Sequence, residues 1–339
     1  MAPRRTPSGA PTIRDVARLA GVSTATASRV VRGEDMVRPE KVEAVMQAVE
    51  ELGYVPNSAA RGLVERRVGA IALVFPEREG RVFADPFFGA VVSGVSSALD
   101  GTRLQMLLVM TGSDDSGERM RRFVRGNHCD GLILASQHES SVLESALAEL
   151  TVPAVSIGKP IQGRTMPYVD LDNLEGGRIA ARHLLAAGHD RVALIGGPGD
   201  MAAAGERETG FEDELRQAGA HLVRRAHGDY SYTSGGEAFD ELTADGVDFD
   251  ALFAVNDLMA FAAVQRALAR GLRVPEDLAV IGFDDIDVAR AEAAGLTTVH
   301  NPVTSMARQA TQALLTLIDG GTVQDRVIGD PRLVMRTTA

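Results

Sequence analysis

The chain has 339 residues, 45% of them hydrophobic and 24% charged, which at roughly 100–200 residues per domain predicts two or three compact units with sizeable cores. Its mean hydropathy is −0.01, and no stretch approaches the roughly 18 consecutive apolar residues of a membrane span. The basic, proline-containing residues 1–11 lack an apolar run behind them, which argues against a secretory signal and predicts a cytoplasmic protein.

The formal net charge of −11 conceals an asymmetry. Residues 1–67 hold 11 Lys+Arg against 8 Asp+Glu, a net of +3, whereas the remaining 272 hold 24 against 38, a net of −14. A small basic unit joined to a large acidic one suits a local contact with a polyanion, the acidic body being held away from it. In chain order, 1–11 reads as a flexible basic tail. Thr12 followed three residues later by Asp15 is a capping-box-like start for a helix carrying Ile13, Val16, Ala17 and Ala20. Gly21-Val22-Ser23 makes a tight turn in which Gly21 takes positive φ, Val22 tucks inward and Ser23 caps the next helix. That second helix buries Ala27, Val30 and Val31 and presents Thr24, Ala25, Ser28, Arg29 and Arg32 outward. A third, with Val42, Val45, Met46, Val49 and Leu52, ends at Gly53 and completes a unit over 12–56. Helix, turn, helix with a short outer face that is uncharged at its start and basic later fits a DNA major groove. A three-helix bundle with a solvated basic face has the same spacing.

Residues 57–67 read as a linker, one or two turns of marginal helix capped by Asn57 and weakened by Gly62. From 68 the pattern changes to apolar strands alternating with amphipathic helices: strands at 68–75, 104–109, 131–134 and 152–157, helices at 87–99, 117–125 and 140–150. A second run follows, with strands at 168–171, 192–195, 251–255 and 278–282 and helices at 174–187, 206–218, 235–242 and 258–270; a helix at 303–318 and a strand at 333–335 close it. The expectation is an α/β body of two doubly wound parallel sheets, a first lobe over about 68–160 and a second over about 164–288. The turn at 158–163 and the C-terminal segment would cross between lobes. Ligands of such sheets bind beyond the carboxyl ends of the strands, in the cleft. The single Cys129 is expected to be a small buried hydrophobe.

Several stretches carry a family resemblance: Thr12-Ile13-Arg14-Asp15-Val16-Ala17-Arg18-Leu19-Ala20-Gly21-Val22-Ser23, Thr26-Ala27-Ser28-Arg29-Val30-Val31, and Leu52-Gly53-Tyr54-Val55-Pro56-Asn57 with Ala60-Arg61-Gly62-Leu63. They closely resemble the headpiece and hinge of the lactose-repressor (LacI) family of transcriptional regulators. The likeness continues through Asp130-Gly131-Leu132-Ile133-Leu134, Gly188-His189, Asn256-Asp257, Ile281-Gly282-Phe283-Asp284-Asp285 and Leu296-Thr297-Thr298-Val299. It implies a helix-turn-helix headpiece on a two-lobed body like that of periplasmic binding proteins. It further implies that Thr24, Ala25 and Arg29 read bases, and that Ser23, Thr26, Ser28 and the start of helix one at Thr12 contact phosphates. Hinge residues Asn57, Ala60, Arg61 and Leu63 would fold on DNA beside those of a second subunit, with Leu63 wedged into the minor groove. Arg38 stands where the family usually has a Ser cap for the third helix, and Arg32 where it often has Asn; both arginines are placed to reach phosphates instead.

By the same resemblance, a small effector in the cleft would meet Asp85, Phe87, Phe88, Ser136 and Lys159 from the first lobe and Arg207, Tyr230, Asn256 and Asp284 from the second. Arg, carboxylates and an amide pair with neighbouring hydroxyls, while Phe and Tyr cover an apolar sugar face. Gly158 stands where relatives often place Asp, which weakens transfer of any one relative's ligand. Catalysis finds no pattern. Gly196-Gly197-Pro198-Gly199-Asp200 matches neither a phosphate loop nor a dinucleotide fingerprint, His138-Glu139 lacks the second His of a metalloprotease helix, and Ser96 lacks the second Gly of a nucleophile elbow. No cofactor or metal is expected. The resulting expectation is a homodimeric repressor of carbohydrate genes on a palindromic operator, without a coiled-coil tail to make a tetramer. A corepressor-dependent regulator sensing a purine or phosphosugar stays open, as does, at greater distance, a sugar-binding transport protein.

Overall fold

The protein is described from a computed structural model, over residues 11–33, 37–55, 67–112, 116–126, 128–139, 145, 147–160, 165–290 and 295–339. It divides into two compact units, Met1–Val68 and Gly69–Ala339. Among its described residues the first holds three helices, α1 (Ile13–Leu19), α2 (Thr24–Arg32) and α3 (Pro39–Leu52). Val16, Ala17, Ala27, Val30, Val45 and Ala48 form its core, with Val22 packed against them. Gly21, at φ 65°, makes the turn between α1 and α2 in the left-handed region that only glycine enters freely.

In the second unit, β1 (Ala70–Phe75), α4 (Glu79–Ala84), α5 (Pro86–Leu99), β2 (Gln105–Met110), α6 (Ser116–Arg125), β3 (Gly131–Ala135), β4 (Ala154–Ile157) and β5 (Tyr168–Leu171) come first. Then follow α7 (Asn173–Ala186), β6 (Arg191–Gly196), α8 (Ala202–Ala218), β7 (His221–His227), α9 (Tyr232–Leu242), β8 (Ala251–Ala254), α10 (Asp257–Ala269), β9 (Ala279–Asp284), α11 (Asp287–Arg290) and β10 (Thr297–His300). The chain ends with α12 (Val303–Ile318), β11 (Arg326–Gly329) and β12 (Arg332–Val334). One six-stranded sheet runs β11-β5-β4-β3-β1-β2 and the other β12-β10-β9-β8-β6-β7. The pairings are parallel except that of β10 with β12. Strands β1, β3 and β8 are buried throughout, as continuous apolar runs in a doubly covered sheet must be. Among the described residues no helix is long and apolar enough to cross a membrane.

The lobe boundary differs from the expectation. Segment 168–171 is β5 and pairs with β4 and β11, so it completes the first sheet rather than opening the second. The turn after β4 therefore stays within the first lobe, and the chain changes lobe after Leu171, again between β10 and α12, and a third time between β11 and β12. Two edge strands, β7 and β11, went unread because His221–His227 and Arg326–Gly329 are polar or half-exposed and carry no apolar run. The helix expected at 140–150 lies largely outside the described residues. Cys129 is buried, and burial pushes its thiol up to about 11.

Candidate functional site

In the first unit the polar residues gather on the outside of α2. Ser23 caps the helix by accepting the Thr26 N–H at 3.1 Å, and the two hydroxyls share a hydrogen bond of 2.8 Å. Thr24, Ala25 and Arg29 are exposed and Ser28 half-buried, while Ala27 and Val30 face inward. The first turn of α2 holds no acidic residue, so its N-terminal dipole end is open to an anion. At α1, the Asp15 carboxylate accepts both the Thr12 hydroxyl, at 2.6 Å, and the Thr12 N–H, at 3.0 Å, and these bonds hold its pKa below the usual range. Arg38 caps α3 without a side-chain bond, consistent with its residue type. Asn57, Ala60, Arg61, Leu63 and the Arg32 side chain lie outside the described residues.

In the second unit, polar side chains collect at the carboxyl ends of the parallel strands: Glu77 after β1, Ser136 and Gln137 after β3, Lys159 after β4, Asn256 after β8 and Asp284 ending β9. Arg207 reaches the same place from α8. A Cβ on Gly177 or Gly210 would strike the backbone of Arg207 or Leu174, so these glycines let α7 and α8 cross closely. Arg207 is 6% exposed. Its Nε donates to Asn173 Oδ1 at 2.9 Å, and its Nη1 donates to the Val255 carbonyl at 2.8 Å and lies 3.3 Å from Asp284 Oδ1. The guanidinium rests 3.7 Å from the Phe283 ring centroid. Burial raises the Asp284 pKa, with Arg207 opposing. Asp85 caps α5 and is pushed up to about 6, mainly by burial.

Contacts join the lobes across this polar floor. Lys159 Nζ lies 2.5 Å from Glu206 Oε1. Arg81 lies 5.2 Å from the centroid of the Tyr230 ring, and burial pushes the Tyr230 hydroxyl up to about 12. His138 is held by Glu77 at Nε2 and by Asp200 at Nδ1, each at 2.9 Å. A neutral imidazole has one N–H, so both carboxylates are satisfied only by the imidazolium. The hydrogen bond to Glu77, ahead of the opposing burial, raises the His138 pKa. Glu77, itself 6% exposed, also accepts the Ser136 hydroxyl at 2.7 Å.

Two joined chambers lie beside these groups. The outer one, about 600 Å³, is walled by Lys159, Tyr168, Asp200, Met201, Glu206 and Gln137 among others. The inner one, about 80 Å³, is walled by Phe87, Ser136, Arg207, Asn173 and Asn301, and shares Gln137, Lys159, Met201 and Ala202 with the first. Of the nine cleft residues expected from sequence, Phe87, Ser136, Lys159 and Arg207 therefore line the chambers. Asp284 stands behind Arg207 as its partner. Asp85 and Tyr230 sit close enough to Asp284 for its charge to act on both, but neither walls the chambers.

Two more of the expected residues do not wall the chambers. Phe88 is core, 1% exposed and edge-on to Phe75 at 4.9 Å. Asn256 has both amide atoms engaged by backbone: it accepts the Met259 N–H at 3.0 Å to cap α10 and donates to the Tyr230 carbonyl at 2.8 Å, bracing a residue at φ 68°. Sequence reasoning missed Glu77, Gln137, Asp200, Glu206 and Asn301. Glu77 and Gln137 stand two residues beyond the carboxyl ends of β1 and β3, the position where doubly wound sheets bind ligands, and that signal was available; Asn301 follows β10, a strand that the apolar pattern does not announce.

Comparison with known proteins agrees with this architecture. Residues 12–57 match the bacterial regulatory proteins of the lacI family, and 181–339 match the periplasmic binding protein-like domain. The HTH-type transcriptional regulator CelR of Thermobifida fusca is 41% identical over 96% of this chain and 97% of its own. GalR of Escherichia coli is 32% identical over 96% and 94%. Among solved structures, a CelR–cellobiose complex is 40% identical, with TM-score 0.76 over 97% of this chain and all of its own. The Lac repressor dimer bound to operator and the anti-inducer ONPF is 26% identical, with TM-score 0.87 over 97% and 99%. With a helix-turn-helix unit, a two-lobed body and these relatives matched along nearly its whole length, the chain belongs to the LacI family of DNA-binding transcriptional regulators.

Proposed function

We propose that this regulator is a homodimeric repressor, acting in the cytoplasm without catalysing a reaction, that holds a near-palindromic operator until a neutral sugar-like molecule binds between its lobes. The observation that carries the sugar reading is the ligand-sized outer chamber, whose walls set the carboxylates of Glu139, Asp200 and Glu206 against one ammonium, Lys159. A phosphosugar would meet net repulsion there, whereas a neutral polyol finds acceptors for its hydroxyls. The cellobiose held by the related CelR supports the same class of ligand.

On the DNA side, Thr24, Ala25 and Arg29 are assigned to bases, with Arg29 able to take guanine O6 and N7 together and Ala25 limited to a thymine methyl. Ser23, Thr26, Ser28 and Thr12 are assigned to phosphates, joined by Arg32. Asn57, Ala60, Arg61 and Leu63 are assigned to a hinge that folds on the operator's minor groove. Release follows if the sugar prefers the lobe arrangement that does not support DNA binding; a tenfold effect needs about 1.4 kcal/mol of preference.

The test is selection of genomic fragments on the purified protein at near-physiological salt, followed by sequencing. Recovery of one palindrome beside carbohydrate genes, with release by a sugar, is the expected result. Sequence-independent, salt-sensitive capture that no sugar alters would overturn the reading.

A further inference from the structure

One bridge of side chains has its two ends in different lobes. Glu77 follows β1 and His138 follows β3, both in the first sheet, while Asp200 follows β6 in the second. His138 Nε2 meets Glu77 Oε1 and its Nδ1 meets Asp200, each at 2.9 Å. One residue further on, the Glu139 N–H donates to the Asp200 carbonyl at 3.0 Å, a backbone bond between the lobes at the same point. Gln137, Glu139, Gly199 and Asp200 all wall the outer chamber, so the two loops joined here are part of that wall.

The protons decide what this bridge does. Only the imidazolium carries an N–H for each carboxylate. When it loses one proton, the remaining N–H stays with Glu77, which is buried and cannot turn to water, whereas Asp200 is 47% exposed and can. The hydrogen bond to Glu77 is also the largest cause of the raised His138 pKa. The Nδ1 lone pair then faces the Asp200 carboxylate, acceptor against acceptor. The bond within the first lobe survives and the bond between lobes is lost. Glu77 keeps the Ser136 hydroxyl at 2.7 Å and Arg81 Nη1 at 3.4 Å in either state. Of the other charged groups around the bridge, Asp85 feels both Glu77 and Arg81 and is pushed up to about 6, and Asp229 feels Arg81. Glu139 adjoins His138 in the chain, and Lys159 and Glu206, which share the chamber wall with Asp200, are paired with each other.

We propose that His138 is a proton-operated clasp between the lobes: as imidazolium it ties the loop after β3 to the loop after β6, and as neutral imidazole it keeps Glu77 and lets Asp200 go. The proton is thereby an input to the lobe arrangement in its own right, whatever molecule occupies the chamber beside it. The direction follows from the raised pKa: the clasp is complete below pH 6.5 and is lost as the pH rises through the raised value.

Amide hydrogen exchange of the full-length protein, followed from about pH 6 to about pH 9 and corrected for the intrinsic pH dependence of exchange, tests this at the Glu139 N–H. Variants His138→Gln and Asp200→Asn are measured beside the parent, with the amides of the buried strand β1 as reference for the stability of the lobe. In the parent, protection of the Glu139 amide relative to β1 should fall at least about threefold, one proton contributing at most about tenfold per pH unit. His138→Gln keeps a donor for Glu77 but cannot gain a proton, so its protection should be low and independent of pH. In Asp200→Asn the new side-chain amide can donate to Nδ1 of the neutral ring, so protection should persist at high pH. Protection unchanged with pH in the parent, or a parallel fall in β1, would overturn the clasp. A fall of the same size in His138→Gln would trace it to another group such as Asp85. A fall of the same size in Asp200→Asn would show that Asp200 is not what the ring releases, and either of these results overturns the assignment.

Discussion

The two units solve recognition in opposite ways. In the first, the polar residues lie on the outside of a single nine-residue helix, and the core behind them, among the described residues, holds six buried side chains. In the second, the polar groups come from the ends of strands far apart in sequence and from α8, and several are more than nine-tenths buried, including Glu77, Ser136, Arg207 and Asn301. An exposed helical face can be changed one residue at a time with little effect on folding. A buried polar site cannot, because each group there is another group's partner.

Mutations sharpen this contrast. The largest effect is expected for Arg207→Ala, which leaves the Asp284 carboxylate and the Asn173 amide without their buried cation. A loss of about 3–5 kcal/mol is expected in thermal or denaturant unfolding, and the variant should stay on its operator at sugar concentrations that release the parent protein. A loss below about 1 kcal/mol would place Arg207 in a far wetter setting than its burial indicates. Arg29→Ala, on the exposed face, should leave melting nearly unchanged and weaken specific DNA binding by about 1–3 kcal/mol, relaxing preference at one base pair. An equal loss on every DNA sequence would make Arg29 a phosphate contact. Arg38→Ser supplies α3 with the side-chain cap it lacks and should stabilise the first unit by about 1 kcal/mol, read from its own unfolding transition.

The smallest effect, within the second unit, depends on pH. His138 bridges the lobes between Glu77 and Asp200, with Arg81 also on Glu77, and its pKa is raised from 6.5. A raised pKa means the bridge contributes fully below pH 6.5 and is lost as pH rises through the raised value. The melting difference between the parent and His138→Ala should therefore be greatest in acid and vanish with increasing pH. A pH-independent difference would show that the imidazole acts by packing alone.

Much was legible in the chain itself. The helical spacing of Val16, Ala27, Val30 and Val45, the glycine turn at Gly21 and the cap at Ser23 are local features. They settle the first unit and its outward face because a helix exposes neighbours three and four residues apart. The alternation of apolar strands and helices likewise announces parallel sheets with a cleft at their carboxyl ends. Sequence separation hid the rest. Nothing near Tyr168–Leu171 says that it pairs with β4 and with β11, a strand far along the chain, because strand order is decided by which edge remains open when the sheets assemble. Phe87 and Phe88 are identical in composition and adjacent, yet one lines the inner chamber and the other fills the core. Whether Asn256 or Asn301 keeps an acceptor free depends on partners that only folding brings within hydrogen-bond distance. Local periodicity thus determines the elements and the exposed face, while the buried site is decided by tertiary structure, where each polar atom's role is set by the neighbour that claims its proton or lone pair.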